Sequence, residues 1–195
     1  MLKVVLIAAA VVAVLLIVLV AVIATRPSEF HVERTATVNA VPEAVFAQVN
    51  DFHKWEPWNP WGKLDPAMKN TYEGAPMGEG AIYSWAGDKN VGEGRMTIVE
   101  SQPHQRIQIQ LEFFKPMAGT STAEFTFKPE GDRTSVTWSM HGKNDFMGKA
   151  ISLVMDMDKM IGGNFEKGLA GLKSIAESAS AGTAPAIAGS QGTEA

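Results

Sequence analysis

The sequence contains no cysteine, which excludes a disulfide framework, thiol catalysis and thiolate metal sites. It has no run of like charge. Its formal charge is −4, with acids and bases mixed along the chain, whereas a nucleic-acid partner calls for clustered Lys and Arg. The histidines, His31, His53, His104 and His141, are scattered without ligand spacing, so neither a metal site nor a cofactor is called for. Gly92-Glu93-Gly94 is not followed by a helical pattern and is no phosphate loop. A Ser–His–Asp set cannot be argued either.

Charge is also missing between Val4 and Thr25, where nearly every residue is Val, Leu, Ile or Ala. About 20 such residues at 1.5 Å each span a hydrocarbon core of roughly 30 Å. Lys3 and Arg26 bracket the run and Pro27 closes it, so residues 3–26 read as a membrane span. The run is much longer than the ~7–15 apolar residues of a signal peptide, and an uncleaved anchor is the preferred reading. A count of Lys and Arg gives no clean orientation. Export of the domain, the commoner arrangement for a lone N-terminal anchor, is taken here.

Residues 28–39 alternate in part and carry Thr and Val, as a first strand does. Pro42 then opens a short helix that ends by Asp51. Trp55-Glu56-Pro57-Trp58-Asn59-Pro60-Trp61 follows, where two prolines forbid a long helix. The spacing next predicts strands over 69–73, 80–86, 91–101, 106–114, 120–128 and 133–141, each bounded by turn residues. Ile107, Ile109, Leu111 and Phe113 share one face of such a strand, and Arg106, Gln108, Gln110 and Glu112 the other. That alternation describes an antiparallel sheet with one face covered. After Asn144 the period becomes 3.6, and Met147, Ile151, Val154, Ile161, Phe165, Leu169, Leu172 and Ala176 mark one stripe of a long helix. From Ala179 the chain is small and polar, as a disordered tail is.

The expected organisation is therefore an anchor over 1–27, an α+β domain over 28–178 and a tail over 179–195. A curved antiparallel sheet wrapped on a long C-terminal helix buries these faces. A bent sheet diverges from a straight helix, and that gap would hold a ligand.

Four stretches resemble a known family: Val41-Pro42-Glu43-Ala44-Val45-Phe46 with Asn50-Asp51-Phe52-His53-Lys54-Trp55; Trp58-Asn59-Pro60-Trp61; residues 91–98; and residues 157–169. Over about residues 29–177 the chain resembles the START-like (SRPBCC) helix-grip superfamily, in its polyketide cyclase/dehydrase and lipid-transport branch. The resemblance implies the helix-grip fold and an internal cavity. It does not fix an activity, because the superfamily hosts carriers, cyclases, hydrolases and chaperone activators.

Trp55, Trp58 and Trp61 lie where the mouth of such a cavity is expected, either as a ligand lid or, preferred here, as a plug of core. Tyr83, Trp85, Met96, Phe113, Trp138 and Met140 are candidate lining from the sheet, and ten Met in the chain suit an adaptable pocket. Asp158 is the sharpest polar candidate. With Ile151 as zero it falls at about 340° on the helix, inside the apolar stripe. A carboxylate aimed into an apolar cavity has its pKa raised and can serve as a general acid or polar anchor. The structural alternatives are a partner such as Arg95 or Lys159, or a helix break at Gly162-Gly163 that turns it to solvent. His53 with Asp51 is a weaker candidate base. Gly92 and Gly94 are read as a curvature-sharpening bulge.

The preferred function is a membrane-anchored binding module for an apolar small molecule, lipid-like or an aromatic metabolite. A cyclase/dehydrase-type enzyme and a protein-interaction domain with a filled core are the alternatives. A carrier calls for an open apolar cavity, an enzyme for converging polar groups, and an interaction module for a closed core beside an exposed apolar patch.

Overall fold

A computed structural model describes residues 1–182. Helix α1, Leu2–Ala24, carries Lys3 in its first turn and no other polar side chain, and only Ile23 along it is buried. It is long and apolar enough to cross a membrane. Thr25 ends it, its hydroxyl donating to Val22 O at 2.8 Å, and Pro27 cannot continue the pattern.

Strand β1 (Glu29–Val38) leads to α2 (Pro42–Val49), which has Pro42 in its first turn. Short 3-10 turns at Phe52–Lys54 and Trp61–Lys63 replace a helix in the proline-rich stretch. Six strands follow: β2 (Lys69–Gly74), β3 (Ala81–Ala86), β4 (Glu93–Gln102), β5 (Arg106–Lys115), β6 (Gly119–Glu130) and β7 (Arg133–Lys143). They form one antiparallel sheet in the order β1-β7-β6-β5-β4-β3-β2, so β1 and β2 are its edges. The sheet is curved and gripped by a long C-terminal helix, the helix-grip arrangement of an α+β fold.

The alternating apolar positions converge on one core. Ile98, Ile107, Ile109, Phe125 and Val136 are fully buried on the sheet's inner face, as are Phe165, Leu169, Leu172 and Ala176 on the helix. The expected bulge is a register shift between Glu93 and Gly94. Gly92, at φ 66°, precedes it. A Cβ there would meet Lys115 O at 2.2 Å, so only glycine fits.

The C-terminal region departs from expectation in two ways. The single long helix is two, α3 (Phe146–Ile151) and α4 (Met157–Gly182). The break lies before Asp156, whose carboxylate accepts from Lys159 N at 3.1 Å as an N-cap; Gly162-Gly163 lie inside α4 and do not interrupt it. Consequently Met147 and Val154, assigned to the buried stripe, are exposed. The helix also passes Ala179 to Gly182, because Ser178 and Ser180 hydroxyls back-bond to carbonyls four residues earlier and do not stop it. The rest of the expected tail lies outside the described residues.

Candidate ligand site

The prolines at 57 and 60 force the aromatic segment to turn repeatedly, which stacks its indoles under α4. Trp55 donates its Nε1 to Val49 O at 2.9 Å, fixing one ring. Trp58 packs on it with centroids 4.6 Å apart. Opposite them, Trp138 of β7 lies beside its cross-strand partner Phe125. Trp138 stacks on Phe125 at 4.7 Å and on Phe165 of α4 at 4.1 Å, the latter nearly parallel at 10°. Trp61, half-buried, meets Trp138 and Phe165 edge-on.

Glycines bring α4 this close. A Cβ at Gly168 would stand 2.6 Å from the Trp138 ring, and one at Gly171 would stand 3.1 Å from the Trp58 Cβ. The expected gap between sheet and helix is therefore filled here by side chains, with Trp55 and Trp58 as plug. Large rings at cross-strand positions occupy the volume that curvature opens.

A second group sits on β3 to β5. Tyr83 and Met96 are buried cross-strand neighbours. Trp85 and Phe113 are half-buried and flank Gly94, whose missing side chain lets the Trp85 indole cross β4 and meet Phe113 edge-on at 5.9 Å. Met140 is buried on the inner face of β7. Tyr83 donates its hydroxyl to Asn70 Oδ1 at 2.9 Å, and burial pushes its pKa above the ordinary 10.0.

The closed interior holds two unpaired donors. Trp58 Nε1 and Trp138 Nε1 are buried with no hydrogen-bond acceptor among the described residues. Edge-to-face rings around them offer only π faces, which are weaker acceptors than an oxygen. An unpaired buried donor costs about 1–3 kcal/mol.

Asp158 does not point into this interior. Its side chain is 58 % exposed and pairs with Arg34 at 2.9 Å; Arg95 is not its partner. Arg34 lies on the inner face of the edge strand β1, opposite Trp138 in register. It also donates its Nε to Glu166 at 2.8 Å. Asp158, Gly162 and Glu166 are four residues apart on one helix face, and the guanidinium crosses the helix at Gly162, where a Cβ would clash. The hydrogen bonds from Arg34 hold the Asp158 carboxyl below its ordinary 3.8, the reverse of the expected rise. The angle measured from Ile151 does not carry over the break between α3 and α4, and at the first turn of α4 Asp158 meets an arginine.

His53 does find Asp51, Nδ1 to Oδ1 at 3.0 Å, and stacks on Tyr72 at 4.2 Å. It is exposed beside an open recess of ≈110 Å³ bordered by Phe52, Tyr72 and Ile82. Asp158 sits against β1 while His53 sits against β2, so the two weak catalytic candidates occupy opposite edges of the sheet. Another open recess, of ≈430 Å³, lies between Pro42, His104 and Pro129.

Phe125, Phe165 and Arg34 were not singled out from sequence as site residues. The D-x-x-x-G-x-x-x-E spacing over 158–166 and an arginine at an inward strand position were the available signals for the last.

Comparison with solved structures gives the fold independently. A Chromobacterium violaceum protein aligns with a TM-score of 0.55 at 15% identity, covering 77% of this chain and 98% of that one. A Thermus thermophilus protein aligns at 0.53 and 21%, covering 77% and 99%. A Helicobacter pylori protein aligns at 0.57 and 10%, covering 75% and 88%. No curated protein matches. The profile of the family described as "Polyketide cyclase / dehydrase and lipid transport" matches residues 29–177, and the chain belongs to that family.

Proposed function

We propose that the chain is a membrane-anchored helix-grip module that takes an apolar molecule bearing a hydrogen-bond acceptor between α4 and the aromatic face of the sheet. The carrying observation is the pair of buried, unpaired indole N–H groups of Trp58 and Trp138. A carbonyl or hydroxyl oxygen reaching either would relieve a desolvation cost that the closed packing leaves standing. The hydrocarbon part would be driven in by burial at about 25 cal/mol per Å². Membership of a family described by lipid transport supports the same ligand class. Trp61 is the element to move aside, being half-buried and held in the ring cluster by edge contacts. Among the described residues no acid–base set converges on that interior, Asp158 being tied to Arg34 and His53 to Asp51 at opposite edges of the sheet.

One observation favours a second reading. The interior is closed, and exposed apolar side chains gather around α3, as an interaction module with a filled core requires.

Native mass spectrometry of the detergent-solubilised full chain separates the two. The chain is equilibrated with a long-chain methyl ketone or with the hydrocarbon of equal length. The expected result is a ketone adduct favoured by about tenfold, since one relieved donor is worth roughly 1.4 kcal/mol. Trp58→Phe and Trp138→Phe combined, which remove both unpaired donors, should abolish that preference while leaving hydrocarbon binding. Equal binding of the two probes would remove the donors from the account. Absence of both adducts would leave the interaction module.

A further inference from the structure

The strand register fixes which loops share an end of the sheet. Glu29 at the start of β1 opposes Lys143 at the end of β7, and Gly142 opposes Ser121 near the start of β6. Gly119 opposes Phe113, and Lys115 at the end of β5 opposes Glu93 at the start of β4. The β5–β6 hairpin, the end of β7 and the start of β1 therefore lie together, and α3 follows β7 directly.

Helix α1 enters at this same end. Residues 25–28 alone separate it from β1. Asn144 N donates to Ser28 O at 2.8 Å, and its side chain reaches Pro27 O at 3.4 Å, tying the link to the end of β7. The last turn of α1 buries Ile23, and α1 packs against α3. A four-residue link reaches at most ~14 Å even when fully extended. With α1 in a bilayer, this end of the domain cannot leave the membrane surface.

Large exposed apolar side chains concentrate there: Phe114 and Met117 on the hairpin, Phe146 and Met147 on α3, and Val154 and Met155 between α3 and α4. Val154 is 84 % exposed. The stripe pattern had assigned Met147 and Val154 to the core. The helix break turns them outward beside α1, where water is the costly neighbour. Arg26, Lys143 and Lys149 stand in the same region, but so do Glu29 and Asp145. Apolar burial, not charge, is the attraction.

We propose that α3, the turn after it and the β5–β6 hairpin form a rim that dips into the bilayer holding α1. The domain then lies on the membrane, and an apolar molecule passes between hydrocarbon and interior without crossing water. This rests on reading α1 as an anchor.

The cysteine-free chain permits a direct test. Met117→Cys, Met147→Cys and Val154→Cys, each carrying an NBD probe, are reconstituted as full chains into phosphatidylcholine vesicles containing doxyl-labelled lipid, with a shallow doxyl position to read these sites and a deep one to read the centre of α1. Val12→Cys reports α1, and Asp132→Cys reports the β6–β7 turn at the opposite end. The rim probes should show a blue shift and loss of emission, while the 132 probe shows neither. All three rim sites are exposed, and unchanged near-UV circular dichroism checks that the fold survives. Quenching at 12 with rim probes as wet as 132 overturns the rim while the anchor stands. No quenching at 12 removes the anchor and the rim with it.

Discussion

Gly163 and Gly168 lie on one helix, five residues apart, and an alanine should act oppositely at the two. A Cβ at Gly163 meets nothing within 4 Å. There the substitution contributes only helix propensity, a gain of about 1 kcal/mol over glycine. At Gly168 the same gain is set against a methyl placed 2.6 Å from the Trp138 ring and 3.3 Å from Pro60 Cδ. The indole has no room to yield, because Phe165 and Phe125 stack on it at 4.1 and 4.7 Å. Overpacking of this kind costs typically 1–3 kcal/mol. Gly168→Ala should therefore range from neutral to about 2 kcal/mol destabilising. At ~2–4 °C per kcal/mol for a chain of this size, its melting temperature should fall several degrees below that of Gly163→Ala. Near-UV circular dichroism melts of both variants in detergent read the tryptophan environment directly. Equal stabilisation by the two alanines would refute the close seating of α4 on Trp138, and with it the filled interior.

Asp158→Asn should lower the melting temperature by a constant amount at neutral pH. Arg34 holds the folded-state carboxyl below its ordinary 3.8, so the stabilisation is present above that value and lost as pH falls through the lowered one. The gap between wild type and variant should close only in that acid range; a gap that closes near pH 6 would refute the assignment. Asp156→Ala, which removes the N-cap of α4, should cost about 1 kcal/mol, with Asp156→Asn restoring most of it in urea titrations. Extraction of expressing membranes with alkaline carbonate should leave the chain in the pellet at full mass. Release of a domain shortened by the apolar segment would instead identify a cleaved signal.

Local pattern carried most of the architecture. The uncharged run before Pro27 specified α1, strand patterns bounded by turns specified β3 to β7, with period-two alternation giving the inner faces of β5 to β7, and the 3.6 period specified α4 from Ile161 onward, because each signal is set by neighbours within a few residues. The α3–α4 break was legible only as a cap at Asp156, a weak cue inside a continuous apolar stripe. What fills the space between sheet and helix was not legible at all. It depends on how Trp138, Phe125, Phe165 and Trp58, far apart in sequence, share one volume, and on which glycines let them approach. The reversal at Asp158 has the same origin, since its partner Arg34 lies 124 residues away. Periodicity reports which way a side chain points; only the folded chain decides what it meets there.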